Sequence, residues 1–117
     1  MYEIATQAKV SFTDAYRKVS NLIGKRSVCL FQHGSLEIKM YAPKTVDPQT
    51  PHRQDEAYIV MKGKGYFYID GSRIPFEPGD FLFAPAGVEH RFENFSDDLV
   101  AWVIYYGPEG GEQPIGY

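Results

Sequence analysis

Cysteine is nearly absent from this chain. Cys29 stands alone among 117 residues, so the chain can close no internal disulfide and build no Cys-based zinc cluster. Apolar runs are short, and none approaches the ~18–20 residues of a membrane-spanning helix. Basic residues are neither abundant nor clustered. Twelve Lys and Arg face fifteen Asp and Glu for a net charge of −3, which argues against a nucleic-acid footprint. The opening MYEIATQAKV lacks the apolar centre of a secretory signal, so a cytoplasmic protein is expected. Internal repeats, low-complexity stretches, a linker and a helix-turn-helix pattern are also missing. What is present is a globular balance of 44% hydrophobic and 23% charged residues. Nine Tyr, eight Phe, eleven Gly and eight Pro suit an all-β domain with many tight turns. The length allows one core but not two.

The pattern divides the chain into a helical or arm segment over 1–27, a barrel over 28–106 and a surface tail over 107–117. In SFTDAYRKVSNLI, residues 11–23, Phe12, Tyr16, Val19 and Ile23 recur at helical spacing. Ser11 or Thr13 can cap the start, and Gly24 can stop the helix. From residue 27 the period changes to two. Strands are predicted over 27–32, 36–42, 56–62, 66–69, 73–76, 81–84, 90–95 and 99–106. Leu36, Ile38, Met40 and Ala42 alternate with Glu37, Lys39 and Tyr41, which predicts one buried face. Asp70-Gly71 predicts a hairpin turn, with further turns at Glu77–Asp80 and Pro85–Gly87. Such a series suggests a sandwich or barrel.

Two of the three histidines sit where chemistry could follow. In PQTPHRQDEAYIV, residues 48–60, Thr50, His52, Gln54 and Glu56 fall two apart and share a face if the segment is extended. His90 follows the tight Pro85–Gly87 turn. Two imidazoles and one carboxylate suit Fe, Zn, Ni, Mn or Cu better than Ca or Mg. Three ligands on one side leave room for water or substrate. On spacing alone, the same residues also read as hydrogen-bonded or surface histidines and a solvated edge carboxylate. His33, at a Gly-Ser turn, carries that plainer reading.

Both segments together resemble the cupin family. The family's second motif places a Gly, then Pro, Gly, His and Asn at fixed intervals. Gly79, Pro85, Gly87, His90 and Asn94 meet all five positions in GDFLFAPAGVEHRFEN. Its first motif is met by His52, Glu56 and Gly63, while Thr50 stands at the first His position and Lys44 at the opening Gly. The intermotif spacer, Lys64 to Pro78, is fifteen residues, as in small single-domain members.

The resemblance implies a double-stranded β-helix, or jelly-roll, with a short N-terminal helix and a pocket at one barrel end. It implies one divalent transition metal held by His52, Glu56 and His90, with Gln54 as an added weak oxygen ligand or water partner. Thr50, Met40, Tyr58, Tyr68, Phe83 and Trp102 are the expected pocket lining. It further implies a homodimer with the N-terminal segment as arm or cover, and a small-molecule ligand. The motif does not choose among dioxygenase, isomerase and lyase chemistry. A non-catalytic module for a sugar, phenolic compound or metabolite is the alternative, followed by a metal-free structural barrel.

Overall fold

The computed structural model describes residues 8–24 and 26–114. The first seven residues of the expected arm and the last three of the tail lie outside them. Among the described residues one helix, α1 (Phe12–Ser20), precedes eight strands. These are β1 (Ser27–His33), β2 (Leu36–Tyr41), β3 (Asp55–Lys62), β4 (Gly65–Ile69), β5 (Ser72–Phe76), β6 (Phe81–Ala84), β7 (His90–Glu93) and β8 (Val100–Tyr106). No helix among them is long and apolar enough to cross a membrane.

Helix α1 begins where Ser11 Oγ accepts the Asp14 N–H at 3.1 Å, so Ser11 rather than Thr13 is the cap. It ends at Ser20, with Asn21 as the C-cap, three residues before the expected end. Beyond Asn21 the chain leaves the helical period. Ile23 therefore loses its place below Val19 and stands 97% exposed, while Leu22 turns inward. Ser11→Ala is expected to cost about 1 kcal/mol. Urea unfolding would read this as a lower midpoint at unchanged slope.

The strands form two antiparallel sheets, a five-stranded one in the order β1-β2-β8-β3-β6 and a three-stranded one in the order β5-β4-β7. Their inner faces supply one core. Tyr58, Val60, Leu82, Ala101, Val103 and Tyr105 come from the large sheet, and Phe67, Phe76 and Phe92 from the small one. This is the all-β jelly-roll with one short helix that the resemblance implies. A β7 that ends at Glu93 rather than residue 95 reflects Asn94, whose φ of 48° breaks the strand.

The large sheet is covered on both faces over β1, β2 and β8, and this changes the expected pocket. Its outer face over β1, β2 and β8 lies against α1. There Met40 and Val100 join Ala15 and Val19 in a second cluster, with Val28 and Trp102 packed against it. Met40 and Trp102 are cross-strand partners in the β2–β8 register, so they share this outer face. A bulge at Leu30 keeps β1 in step, since Val28 pairs with Met40 and Phe31 with Ile38. In β2 the polar set, Lys39 and Tyr41, is the one that turns toward the interior.

Candidate functional site

The site forms where the two motif segments are tied together by their backbones. The turn at 85–87 donates two hydrogen bonds to the start of β3. Gly87 N–H meets the His52 carbonyl at 2.7 Å, and Ala86 N–H meets Asp55 Oδ1 at 2.9 Å. Gly87 adopts φ 77°, where a side chain is strained, and this bend aims its N–H at His52. Asp55, 5% exposed, also accepts the Glu112 N–H at 2.9 Å, which draws the described part of the tail onto the same junction. Three residues past Gly87, His90 opens β7.

Glu56 from the large sheet and His90 from the small sheet then meet across the interior. They are 1% and 2% exposed, and His90 Nε2 lies 2.7 Å from Glu56 Oε1. His90 Nδ1 lies 2.8 Å from the Val88 carbonyl, a contact that assigns a proton to Nδ1. In its neutral form the ring presents the Nε2 lone pair to a carboxylate. Despite the short approach, His90 Nε2 and both Glu56 oxygens make no aligned hydrogen bond. Groups so deeply buried and unsatisfied are costly unless a proton or a cation lies between them. Burial alone would lower the His90 pKa. The Glu56 contact, the Val88 carbonyl and the Glu56 charge outweigh it and raise the value above that of an ordinary imidazole.

Hydroxyl groups surround this pair. Burial, then the Glu56 charge, pushes the Tyr58 and Tyr105 phenols well above their ordinary range, so both stay protonated donors. Tyr58 donates to Gln49 Oε1 at 2.8 Å. Tyr41 donates to buried Asp47 and is raised by burial, then by that contact. Asp47 Oδ2 also accepts the Gln49 amide at 2.6 Å and the Phe92 N–H at 2.8 Å. The loop before β3 is thus pinned to β2, β3 and β7.

A cavity of about 240 Å³ opens on the Glu56 side of the pair, with His90 behind its wall. Ser27, Lys39, Tyr41, Pro48, Gln49, Thr50, His52, Glu56, Val103 and Tyr105 line it. Thr50 and His52 thus border the same space as Glu56, with the His52 ring stacked on Tyr105 at 4.0 Å and 23°. Tyr58, fully buried, lies in the core behind the lining residues Gln49 and Glu56.

The other expected site residues lie elsewhere. Gln54 gives its amide protons to the Ser35 and Gly107 carbonyls at 3.0 and 2.9 Å and borders a neighbouring surface hollow, so it ties loops together. The segment before β3 is not strand, and so Thr50 to Glu56 do not share one pleat as extended spacing suggested. Met40 and Trp102 face α1. Tyr68 lies under the Arg91 guanidinium at 4.1 Å, and Phe83 is 39% exposed beside Ala57 on the outer face. Lys44, at the opening Gly position, donates through Nζ to the Asp97 carbonyl. Asn94 accepts Arg73 Nη2 at 2.8 Å. His33 stays exposed at the β1–β2 turn. Sequence reasoning missed Lys39, Tyr41, Gln49 and Tyr105 as lining. It also missed Asp47 and Asp55 as buried loop anchors, since an isolated Asp in a loop carries no periodic signal.

Among the described residues no three His, Cys, Asp or Glu side chains converge on one point. The donors in place are Glu56 and His90. As buried, unsatisfied nitrogen and oxygen ligands they fit a transition-metal ion, with His52 as the further imidazole bordering the cavity.

Comparison with known proteins follows this geometry. Residues 38–106 match the model of the cupin domain. An uncharacterised protein of Streptomyces coelicolor is 34% identical over 77 residues, 64% of this chain and 73% of its own length. A gentisate 1,2-dioxygenase of Streptomyces is 30% identical over 67 residues, 56% of this chain but 19% of that enzyme. The chain therefore spans about a fifth of that relative. The crystal structure of a cupin-2 domain containing protein from Shewanella frigidimarina shares the fold at a TM-score of 0.65 and 19% identity, covering 87% of this chain and 97% of that one.

Proposed function

The chain belongs to the cupin family, and on that premise we propose that it is a metal-dependent cupin of dioxygenase type acting on a small molecule in the interior cavity. The observation that carries this is the buried pair Glu56–His90, whose lone pairs face one another with no aligned hydrogen bond. The similarity to a protein named as a dioxygenase supports the reaction class. His52, Glu56 and His90 are the assigned ligands. An ion bound there supplies Lewis-acid polarisation and, if redox-active, electron transfer to a co-substrate.

The chain's own residues do the remaining work. The Val88 carbonyl fixes the His90 ring and its tautomer, an outer contact of the kind that orients metal-bound histidines. Protonated Tyr58 and Tyr105 place hydroxyl donors beside Glu56. Val103 and the aromatic rings of Tyr41 and Tyr105 form the apolar part of the cavity wall, while Thr50 and Gln49 offer polar groups on it. A homodimer belongs to the same proposal. β6 ends the large sheet, and its outward Phe81 and Phe83 are 63% and 39% exposed, surface a second copy would cover. Sedimentation that finds only monomer at micromolar concentration removes it.

Metal analysis of protein purified without chelator tests the central claim. About one transition ion per chain is expected, since a site of three ligands serves one ion. Glu56→Gln, His90→Ala and His52→Ala are each expected to lower occupancy at least about tenfold, with circular dichroism unchanged. Wild-type protein that carries no ion, and takes up none of Fe, Zn, Ni, Mn or Cu on dialysis, overturns the reading. The pair would then be a proton-sharing one. Oxygen uptake by the Fe(II)-loaded protein with catechols, thiols and keto acids separates an oxygenase from a binder.

A further inference from the structure

We infer that Lys39 is a specificity-determining residue and that the cavity takes a small planar carboxylate. The inference rests on the metal reading above in one respect: an ion at Glu56 and His90 cancels the carboxylate charge that would repel an anion.

Lys39 belongs to the polar face of β2, which in most half-buried strands would point to water. Here it lines the cavity. Of the cavity-lining side chains it is the one carrying a fixed positive charge. Among the described residues its ion-pair partner is Glu37 Oε1 at 3.9 Å, beyond hydrogen-bond reach. Glu37 is engaged elsewhere, accepting Gln32 Nε2 at 2.8 Å and lying 3.5 Å from Cys29 Sγ. The ammonium also sits 5.6 Å from the Tyr105 ring centroid, a weak contact at that distance. The Lys39 side chain, 30% exposed at the cavity wall, makes no hydrogen bond to another described residue.

The register sets the size of what would meet it. Through β8 the register sets Lys39 level with Tyr58 and Glu37 level with Glu56, so the Lys39 and Glu56 backbones lie two strand spacings apart and two residues out of step, about 12 Å. Both side chains reach into the space between. What remains suits one ring and one acid group, in keeping with a cavity of about 240 Å³, below the ~300–1,000 Å³ of drug-sized sites. Tyr105 and His52, stacked on one another at 4.0 Å, make one wall of the cavity aromatic, which suits a flat molecule. A carboxylate on Lys39 would direct the opposite end of the ring toward Glu56, the member of the pair that lines the cavity.

The test compares benzoate with benzamide, its neutral isostere, by calorimetry on the purified protein, with metal content measured on the same samples. Wild type is expected to favour benzoate at least about tenfold. Lys39→Met is expected to abolish that preference with unchanged metal content, and Lys39→Arg to keep most of it. Equal affinity in wild type, a preference that survives Lys39→Met, or binding of neither probe overturns the assignment. If metal is present in those samples, the metal centre stands without it. A Lys39-dependent preference in protein that binds no metal supports Lys39 and overturns the metal centre instead.

Discussion

Phe92→Ala is expected to lower the unfolding free energy by about 3–5 kcal/mol, the range for truncating a buried aromatic in a core that cannot collapse. Phe92 is 2% exposed and is the hub of the interior aromatic cluster. Its ring centroid lies 5.0 Å from that of Tyr58, 5.3 Å from Phe76, 5.5 Å from Phe67 and 6.5 Å from Tyr41. Those four rings come from four strands in both sheets, so no single strand can shift to fill the void. The effect would reach the site. Phe92 follows His90 by two residues on the same face of β7, and the 2.7 Å approach of His90 to Glu56 depends on where that strand sits. Urea unfolding checks the energy. Phe92→Leu, which keeps most of the volume, should cost under half as much. Phe81→Ala, at a 63% exposed ring, should stay within about 0.5 kcal/mol. A Phe92→Ala cost near 1 kcal/mol would show that the two sheets close over the gap.

Much of the architecture was legible because turns and alternation are local signals. Asp70-Gly71 reads as the β4–β5 hairpin, and the strand series through Phe81–Ala84 follows from period-two runs between Gly and Pro clusters. The motif segments around His52 and His90 could be matched residue by residue, and the structure brings Glu56 and His90 to 2.7 Å. Which face of each strand is the interior was not legible. Alternation tells which residues share a face, never which face a second layer covers. In β2 the apolar set, ending in Met40, meets α1, while Lys39 and Tyr41 meet the cavity. β8 is apolar or aromatic on both faces. Trp102 outside and Tyr105 inside therefore look alike in the sequence, and it is Tyr105 rather than the expected Trp102 that lines the cavity. Ile23 misled for a related reason, since helical spacing carries past a C-cap that only the structure reveals.

Asp47→Ala is expected to cost about 3–4 kcal/mol, although the residue lies in a loop with no metal or substrate role assigned to it. Asp47 is 4% exposed, and its carboxylate accepts three hydrogen bonds, from Tyr41, Gln49 and the Phe92 backbone. The Phe92 N–H bond spans 45 residues of sequence and is fully buried, so its loss leaves a donor that water does not reach. A hydrogen bond to a charged acceptor contributes about 1.5–3 kcal/mol, and an orphaned buried donor costs about 1–3 kcal/mol. The half-buried Tyr41 hydroxyl can regain water, which keeps the total below a simple sum. Asp47→Asn keeps one oxygen for the Phe92 N–H and should cost about half as much, because a neutral amide replaces charge-assisted hydrogen bonds with weaker ones. Hydrogen exchange supplies the decisive reading. The Phe92 amide should exchange faster in Asp47→Ala by more than the global loss of stability explains. Gln49, no longer held by the carboxylate, should also loosen its bond to Tyr58 at the cavity wall. Wild-type exchange at Phe92 would mean that the β4–β7 ladder holds this strand by itself, and that the loop closes the cavity without anchoring the core.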